Sequence, residues 1–160
     1  LGLSEEALTL TAVPLDSLWP RLRAACPAAV LQTPPPPAPI VAGDAELLLD
    51  LLCNLVQNAV RAAAPGSPVA LYCSQSGDAV TLTVADTGCG IPPEELPRIT
   101  EPFYMVDKSR SRAHNGAGLG LALCTAILEL HHSSLKIEST QGFGSCMSFL
   151  IPDEGVNADE

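Results

Sequence analysis

Asp50, Asn54, Asn58 and Arg61 follow one another at spacings of four, four and three residues, so on a helix they share one face. The other faces of the same segment are apolar, carrying Leu47, Leu48, Leu51, Leu52, Leu55, Val56, Ala59 and Val60. A helix this apolar is expected to be largely buried, so its polar stripe must border either solvent or a ligand. Asn is a poor helix former, at roughly a few tenths of a kcal/mol against Ala. Two of them on one stripe, beside an Arg, call for a reason. Two readings fit: a solvated helix face, or oxygen ligation of Mg2+ by one carboxamide with Arg61 near phosphate.

A second group surrounds Asp86, which follows the run VTLTVA. A carboxylate at a strand end, ahead of Gly88 and Gly90, can accept hydrogen bonds from an exocyclic amine. The glycines let backbone approach a flat ring. An ordinary Asp-Thr-Gly turn is the alternative. The third group is Gly116, Gly118 and Gly120, which clear side chains from the start of a helix whose free N–H groups suit phosphate. Lys108, Arg110 and Arg112 precede it, three of only eight basic residues in the chain. They read as a solvated charge run or, given the glycine turn beside them, as phosphate contacts. No GxxxxGK[ST] occurs, which excludes a Walker-type phosphate loop. Nor do the glycines follow a first strand, as a dinucleotide fingerprint requires.

The elements that must hold these groups are legible in outline. Leu8, Leu10 and Ala12 alternate with Thr9 and Thr11 as in a strand that Pro14 ends. Leu15 to Cys26 reads as a short amphipathic helix, and Val30–Gln32 as a second strand. PPPPAP (34–39) reads as a rigid extended loop. Gly43-Asp44 opens the strongest helix signal, running to about Ala64 and stopped by Pro65-Gly66. Val69–Ser74 and Ala79–Ala85 form a hairpin turned at Ser76-Gly77-Asp78. From Asp86 to Gly118 the chain is rich in Gly, Pro and charge, and loops of that length in compact domains are usually functional. Helical spacing resumes over Gly118–His131. Leu135–Ser139 and Ser145–Ile151 close the chain as strands around Gly142 and Gly144, before an acidic tail from Asp153.

A chain of 160 residues is long enough for one domain with a real core. Six aromatics in all leave Leu, Val, Ile and Ala to fill it. The net charge of −10 argues against a broad nucleic-acid or anionic-membrane surface. Cys26, Cys53, Cys73, Cys89, Cys124 and Cys146 show no CxxC or Cys/His spacing, which argues against zinc. Several lie in apolar stretches, as in a reduced cytosol; Cys89, inside a glycine turn, is the one expected at the surface. No apolar run reaches the roughly 20 residues that span a bilayer. The first residue is Leu rather than Met, as in a fragment of a longer protein, whose own membrane anchor would lie elsewhere.

In order along the chain, NLVQNAVRA (54–62), DTGCGI (86–91), EPFYMVDKSR (101–110) and NGAGLGLAL (115–123) resemble four boxes of one family. They look like the N box, first glycine box, F box and second glycine box of the catalytic ATP-binding domain of bacterial sensor histidine kinases. That domain shares a superfamily with gyrase, MutL and certain ATP-dependent chaperones. LELHHSSLKIES and GFGSCMSFLIP resemble its closing strands. The resemblance implies an α+β fold of Bergerat type, a two-layer α/β sandwich with a mixed sheet of about five strands packed on three helices. The domain would span 1–152, with 153–160 a flexible acidic tail.

The same resemblance implies site roles. Asn58 would bind Mg2+, with Asn54 and Arg61 near the phosphates of ATP. Asp86 would read the adenine amino group, with Gly88, Gly90 and Ile91 around the ring. Phe103, Lys108 and Arg110 would belong to a lid over the nucleotide, hinged by Gly116, Gly118, Leu119 and Gly120. Two departures stand out. The family often carries an aromatic residue where Ala62 stands. The family's phosphoacceptor His, on a dimerising hairpin, has no counterpart, because His114, His131 and His132 all follow the N box.

The implied reaction is transfer of the ATP γ-phosphoryl to a His supplied by a missing hairpin, in a cytoplasmic two-component system. The parent would be a homodimer with a response regulator downstream, and this fragment a monomer that does not autophosphorylate alone. An ATP hydrolase of the gyrase and chaperone branch would place a Glu general base at position 54. Asn54 cannot serve in that role. An anti-sigma-type serine kinase and a non-catalytic nucleotide sensor are the other readings.

Overall fold

The computed structural model describes residues 10–27, 29–31, 38–63, 68–99, 101 and 120–153. In chain order these form β1 (Thr11–Pro14), a 3-10 turn (Leu15–Ser17), α1 (Trp19–Ala25), β2 (Val30–Leu31), β3 (Ile40–Gly43), α2 (Ala45–Ala62), β4 (Val69–Ser76) and β5 (Ala79–Asp86). A second 3-10 turn (Leu96–Arg98), α3 (Gly120–Leu130), β6 (Lys136–Thr140) and β7 (Gly144–Pro152) complete them. One five-stranded sheet runs β2-β4-β5-β7-β6, and β1 pairs with β3 in a separate two-stranded ribbon. β2 lies parallel to β4 and the other pairs are antiparallel. The sheet is therefore mixed, with the three helices over one face.

Strand alternation sends Val80, Leu82 and Val84 of β5 and Phe149 and Ile151 of β7 to the helical side, where all are buried. They meet Leu48, Leu51, Leu52, Leu55 and Val56 of α2, Cys124, Ile127 and Leu128 of α3, and Trp19 and Leu22 of α1. Each fully buried Leu contributes about 1.5–3 kcal/mol by leaving water. α2 starts cleanly because the Asp44 carboxylate accepts the N–H groups of Glu46 and Leu47 at 3.1 Å each, satisfying two of the donors a helix start leaves open.

His131 ties the two long helices together at the opposite end from the chemistry. Its Nε2 accepts the Asp44 N–H at 3.1 Å, so the ring proton sits on Nδ1, which donates to the Ile127 carbonyl at 2.8 Å. This histidine is thus a buried structural bridge between the start of α2 and the end of α3. The next residue closes α3. His132 N–H bonds Glu129 O at 3.1 Å and Ser133 N–H bonds Leu128 O at 2.8 Å, the paired bonds of a Schellman cap. That cap needs a left-handed residue, normally Gly, and here His132 takes it at φ 56°. Left-handed backbone costs a residue with a Cβ about 1–2 kcal/mol, part of which Gly gives back as unfolded-state entropy. His132→Gly is accordingly expected to stabilise the domain by about 0.5–1 kcal/mol, seen as a rise of about 2 °C in thermal midpoint.

The first strand lies at Thr11–Pro14, with Leu10 outside it, and ends at Pro14 as expected; Leu8 and Thr9 lie outside the described residues. Two expectations change. β3 was not anticipated at all. It has four residues directly after a proline tract, and it exists through pairing with β1 from Thr11↔Gly43 to Pro14↔Ile40. Asp153 is not the free start of a tail. It is buried, its N–H bonds Asp78 O at 2.8 Å, its carboxylate accepts from Gln75 Nε2, and it bridges to Val41. The rest of the tail, 154–160, and most of the proline tract lie outside the described residues.

Candidate functional site

The polar stripe of α2 forms as its spacing requires. Asn54 and Asn58 are half-buried and Arg61 is exposed. Arg61 Nη1 donates to Asn58 Oδ1 at 3.3 Å, and Asn54 Nδ2 donates to the Asp50 carbonyl at 2.9 Å. Both carboxamides therefore keep acceptor capacity beside a guanidinium. Gly120, the first residue of α3, stands over them. A methyl group on its Cα would lie 3.6 and 3.7 Å from the Asn58 amide atoms and 3.9 Å from Asn54 Oδ1. The N-terminal end of α3 and the asparagine stripe of α2 thus meet at one place.

Asp86 is the last residue of β5. Its Oδ1 accepts the Gly88 N–H at 2.9 Å, and the Ser145 backbone N–H faces it from the paired position of the β5–β7 ladder. Burial pushes this carboxyl above the ordinary carboxylate value, and those two N–H groups pull partly the other way. A half-buried, oriented carboxylate of this kind is a marker of functional sites.

The glycine turn after it is clamped on both sides. A Cβ on Gly88 would stand 2.3 Å from the Ala62 carbonyl oxygen at the end of α2, so the absence of a side chain is what lets the turn touch the asparagine-bearing helix. Gly90 has φ 70°, and a Cβ there would stand 2.2 Å from the Thr140 carbonyl oxygen. On that flank Gly142 N–H donates to Cys89 O at 2.7 Å and Ile91 N–H to Ser139 Oγ at 2.8 Å. Cys89 itself is exposed.

Of the residues singled out in the sequence, Asn54, Asn58, Arg61, Asp86, Gly88, Gly90, Ile91 and Gly120 fall on three segments that converge on α2. Phe103, Lys108, Arg110, Gly116, Gly118 and Leu119 lie outside the described residues. Ser139 and Ser145, which touch this turn, were missed: serines in a strand pattern carry no signal of their own, and only the glycines between them mark the hairpin. Among the described residues no three His, Cys, Asp or Glu side chains gather as a metal cluster. Carboxamide oxygen is the donor that the α2 stripe offers a hard cation.

Residues 43–155 match the family model described as histidine kinase-, DNA gyrase B- and HSP90-like ATPase. This chain belongs to that ATPase family. Among curated proteins this ATPase domain is 38% identical over 117 residues to the phosphate regulon sensor protein PhoR of Haemophilus influenzae, covering 73% of this chain and 28% of PhoR. It is 37% identical over 109 residues to the sensor protein SrrB of Staphylococcus aureus, covering 68% of this chain and 19% of SrrB. The chain therefore spans 28% and 19% of the length of these relatives.

Among solved structures, full-length ShkA in complex with AMPPNP superposes with a TM-score of 0.76 at 26% identity, over 95% of this chain and 33% of ShkA. The catalytic domain of histidine kinase ThkA gives 0.74 at 22% identity, over 91% of this chain and 96% of that domain. The described residues share the α+β fold of these domains: one five-stranded sheet, a two-stranded ribbon and three helices. Among the described residues no helix is long and apolar enough to cross a membrane.

Proposed function

We propose that this domain binds Mg2+ and ATP in the space bordered by the α2 stripe, the glycine turn and the start of α3, and serves a parent kinase by presenting the γ-phosphoryl to a histidine. The observation that carries this reading is the convergence on one helix: Gly88 against Ala62 and Gly120 against Asn58. Adenine takes its amino contact from Asp86. Asn58 holds the cation through its carboxamide oxygen, with Asn54 beside it, and Arg61 faces the phosphates. Magnesium, when bound, neutralises phosphate charge. On the sequence resemblance alone, Phe103, Lys108, Arg110, Gly116 and Gly118, which lie outside the described residues, are assigned to the triphosphate end of the nucleotide.

The chain's own groups bind and orient the nucleotide and supply no nucleophile for it. His131 is spent on its two structural bonds. The acceptor is a His on a dimerising hairpin of the parent, and a response regulator acts downstream. Transfer is favoured over hydrolysis because Asn54, at the position where a water-activating base would stand, already donates its amide to Asp50 O and cannot take a proton. Phosphoryl transfer takes place in the cytoplasm.

Calorimetric titration of a non-hydrolysable ATP analogue with and without Mg2+ tests this reading. Wild type is expected to bind more tightly with the cation, and Asn58→Ala to lose about 10-fold or more of that increment while keeping its magnesium-free affinity. Equal affinity with and without the cation in wild type would sink the assignment.

A further inference from the structure

Behind the glycine turn, one serine hydroxyl is saturated by three partners from two parts of the chain. Ser139 Oγ accepts the Ile91 N–H at 2.8 Å, lies 2.8 Å from Ser145 Oγ, and donates to the Gly144 carbonyl at 3.1 Å. A hydroxyl has one proton and two lone pairs. With its proton on Gly144 O and one lone pair on Ile91 N–H, the other lone pair takes the Ser145 hydroxyl proton. No capacity is left over. Ser139 is half-buried on β6, pointing to the inner side of the sheet.

The partners make this bond set more than local. Ser145, whose hydroxyl Ser139 holds, is the residue paired with Asp86 across the β5–β7 ladder. Ile91 ends the turn that begins at Asp86, and Gly88 within it gives its N–H to the Asp86 carboxylate. One hydroxyl therefore fixes both flanks of the segment 86–91 against the β6–β7 hairpin: one through Ile91, the other through Ser145. No charged side chain takes part, and none of these atoms lies on the α2 stripe or at the start of α3.

We infer that Ser139 is the positioning residue for base recognition, holding the 86–91 turn in the one arrangement that points the Asp86 carboxylate at an exocyclic amine. The inference rests on the nucleotide reading above and deepens it by separating two functions: Ser139 governs which base is accepted, and the α2 stripe governs the triphosphate. Without the hydroxyl, Ile91 N–H and Gly144 O lose a partner, the turn relaxes, and Asp86 is no longer aimed. Triphosphate contacts remain.

The test measures affinities of non-hydrolysable ATP and GTP analogues for wild type, Ser139→Ala and Ser139→Thr, with thermal midpoints alongside. Wild type is expected to prefer ATP. Ser139→Ala should weaken ATP about 10-fold or more and GTP less than about 3-fold, and Ser139→Thr, which keeps the hydroxyl, should restore the preference. Equal weakening toward both nucleotides, or unchanged selectivity, overturns the inference and leaves a purely structural serine. Should Ser139→Ala fail to fold, Ser145→Ala removes the next hydroxyl in the relay and must shift selectivity the same way; an unshifted ratio counts against the idea. Failure of wild type to bind either analogue is a different result, since it removes the nucleotide reading itself.

Discussion

Asp86→Asn is expected to lower affinity for an ATP analogue by at least about 100-fold, or roughly 2.7 kcal/mol, in the same titration that gives clear binding to wild type. Asn can still accept the Gly88 N–H through its amide oxygen. Its NH2 then replaces the carboxylate oxygen aimed at the ligand, and a donor confronts the donor of the adenine amine. Loss of a hydrogen bond to a charged group is worth about 1.5–3 kcal/mol, and the opposed donors add to it. Affinity close to wild type would show that Asp86 is an ordinary turn residue.

The same variant separates binding from stability. Burial raises the Asp86 pKa above its value in the unfolded chain, where carboxylates titrate near about 3.9. A group raised in this way stabilises the fold fully below the unfolded value, and that contribution is lost as pH rises through the folded value. Wild type should therefore lose stability relative to Asp86→Asn between acid and neutral pH, measured by denaturant unfolding across that range. Ionised Asp86 is the form that accepts from an amine, so the binding partner is present where the fold gains least from the residue.

Gly90→Ala is expected to cost about 2–5 kcal/mol of stability and to abolish nucleotide binding. The backbone there sits at φ 70°, a region that charges a residue with a Cβ about 1–2 kcal/mol. The added methyl would also stand 2.2 Å from Thr140 O and 2.8 Å from its carbonyl carbon. Those are backbone atoms of β6 and cannot rotate aside, and forced overpacking adds about 1–3 kcal/mol. Relief requires the turn to part from the hairpin that holds it, which moves Asp86 as well. Chemical denaturation and the analogue titration read the two effects. A variant with wild-type stability would mean that the turn has more room than its contacts indicate.

The parts of this molecule legible in its sequence are those whose signal is local. The α2 stripe was readable because helical periodicity converts spacings of four and three into a shared face. The β4–β5 hairpin was readable because Gly77-Asp78 interrupts two alternating runs. β3 was not: Ile40–Gly43 is too short and too uniformly apolar to show alternation, and becomes a strand only when β1 lies alongside. Asp153 failed for the same reason, since its partners Gln75 and Asp78 are distant in sequence and its acidic neighbours made it look like tail. At the site, Asp86 and the glycines carry chemical signatures of their own. Ser139 acquires its importance from three partners that only the folded sheet assembles.

The histidine bridge has a mechanical consequence. α3 is pinned to α2 where His131 meets Asp44, while its other end, Gly120, abuts Asn58 with no side chain between. Eleven residues at about 1.5 Å rise make an arm of roughly 16 Å. Between those ends Cys124, Ile127 and Leu128 are packed in the core, so the helix is held along its length and moves as a rigid rod. Whatever displaces Gly120 from the asparagines therefore also strains the bond between His131 and Asp44 at its far end.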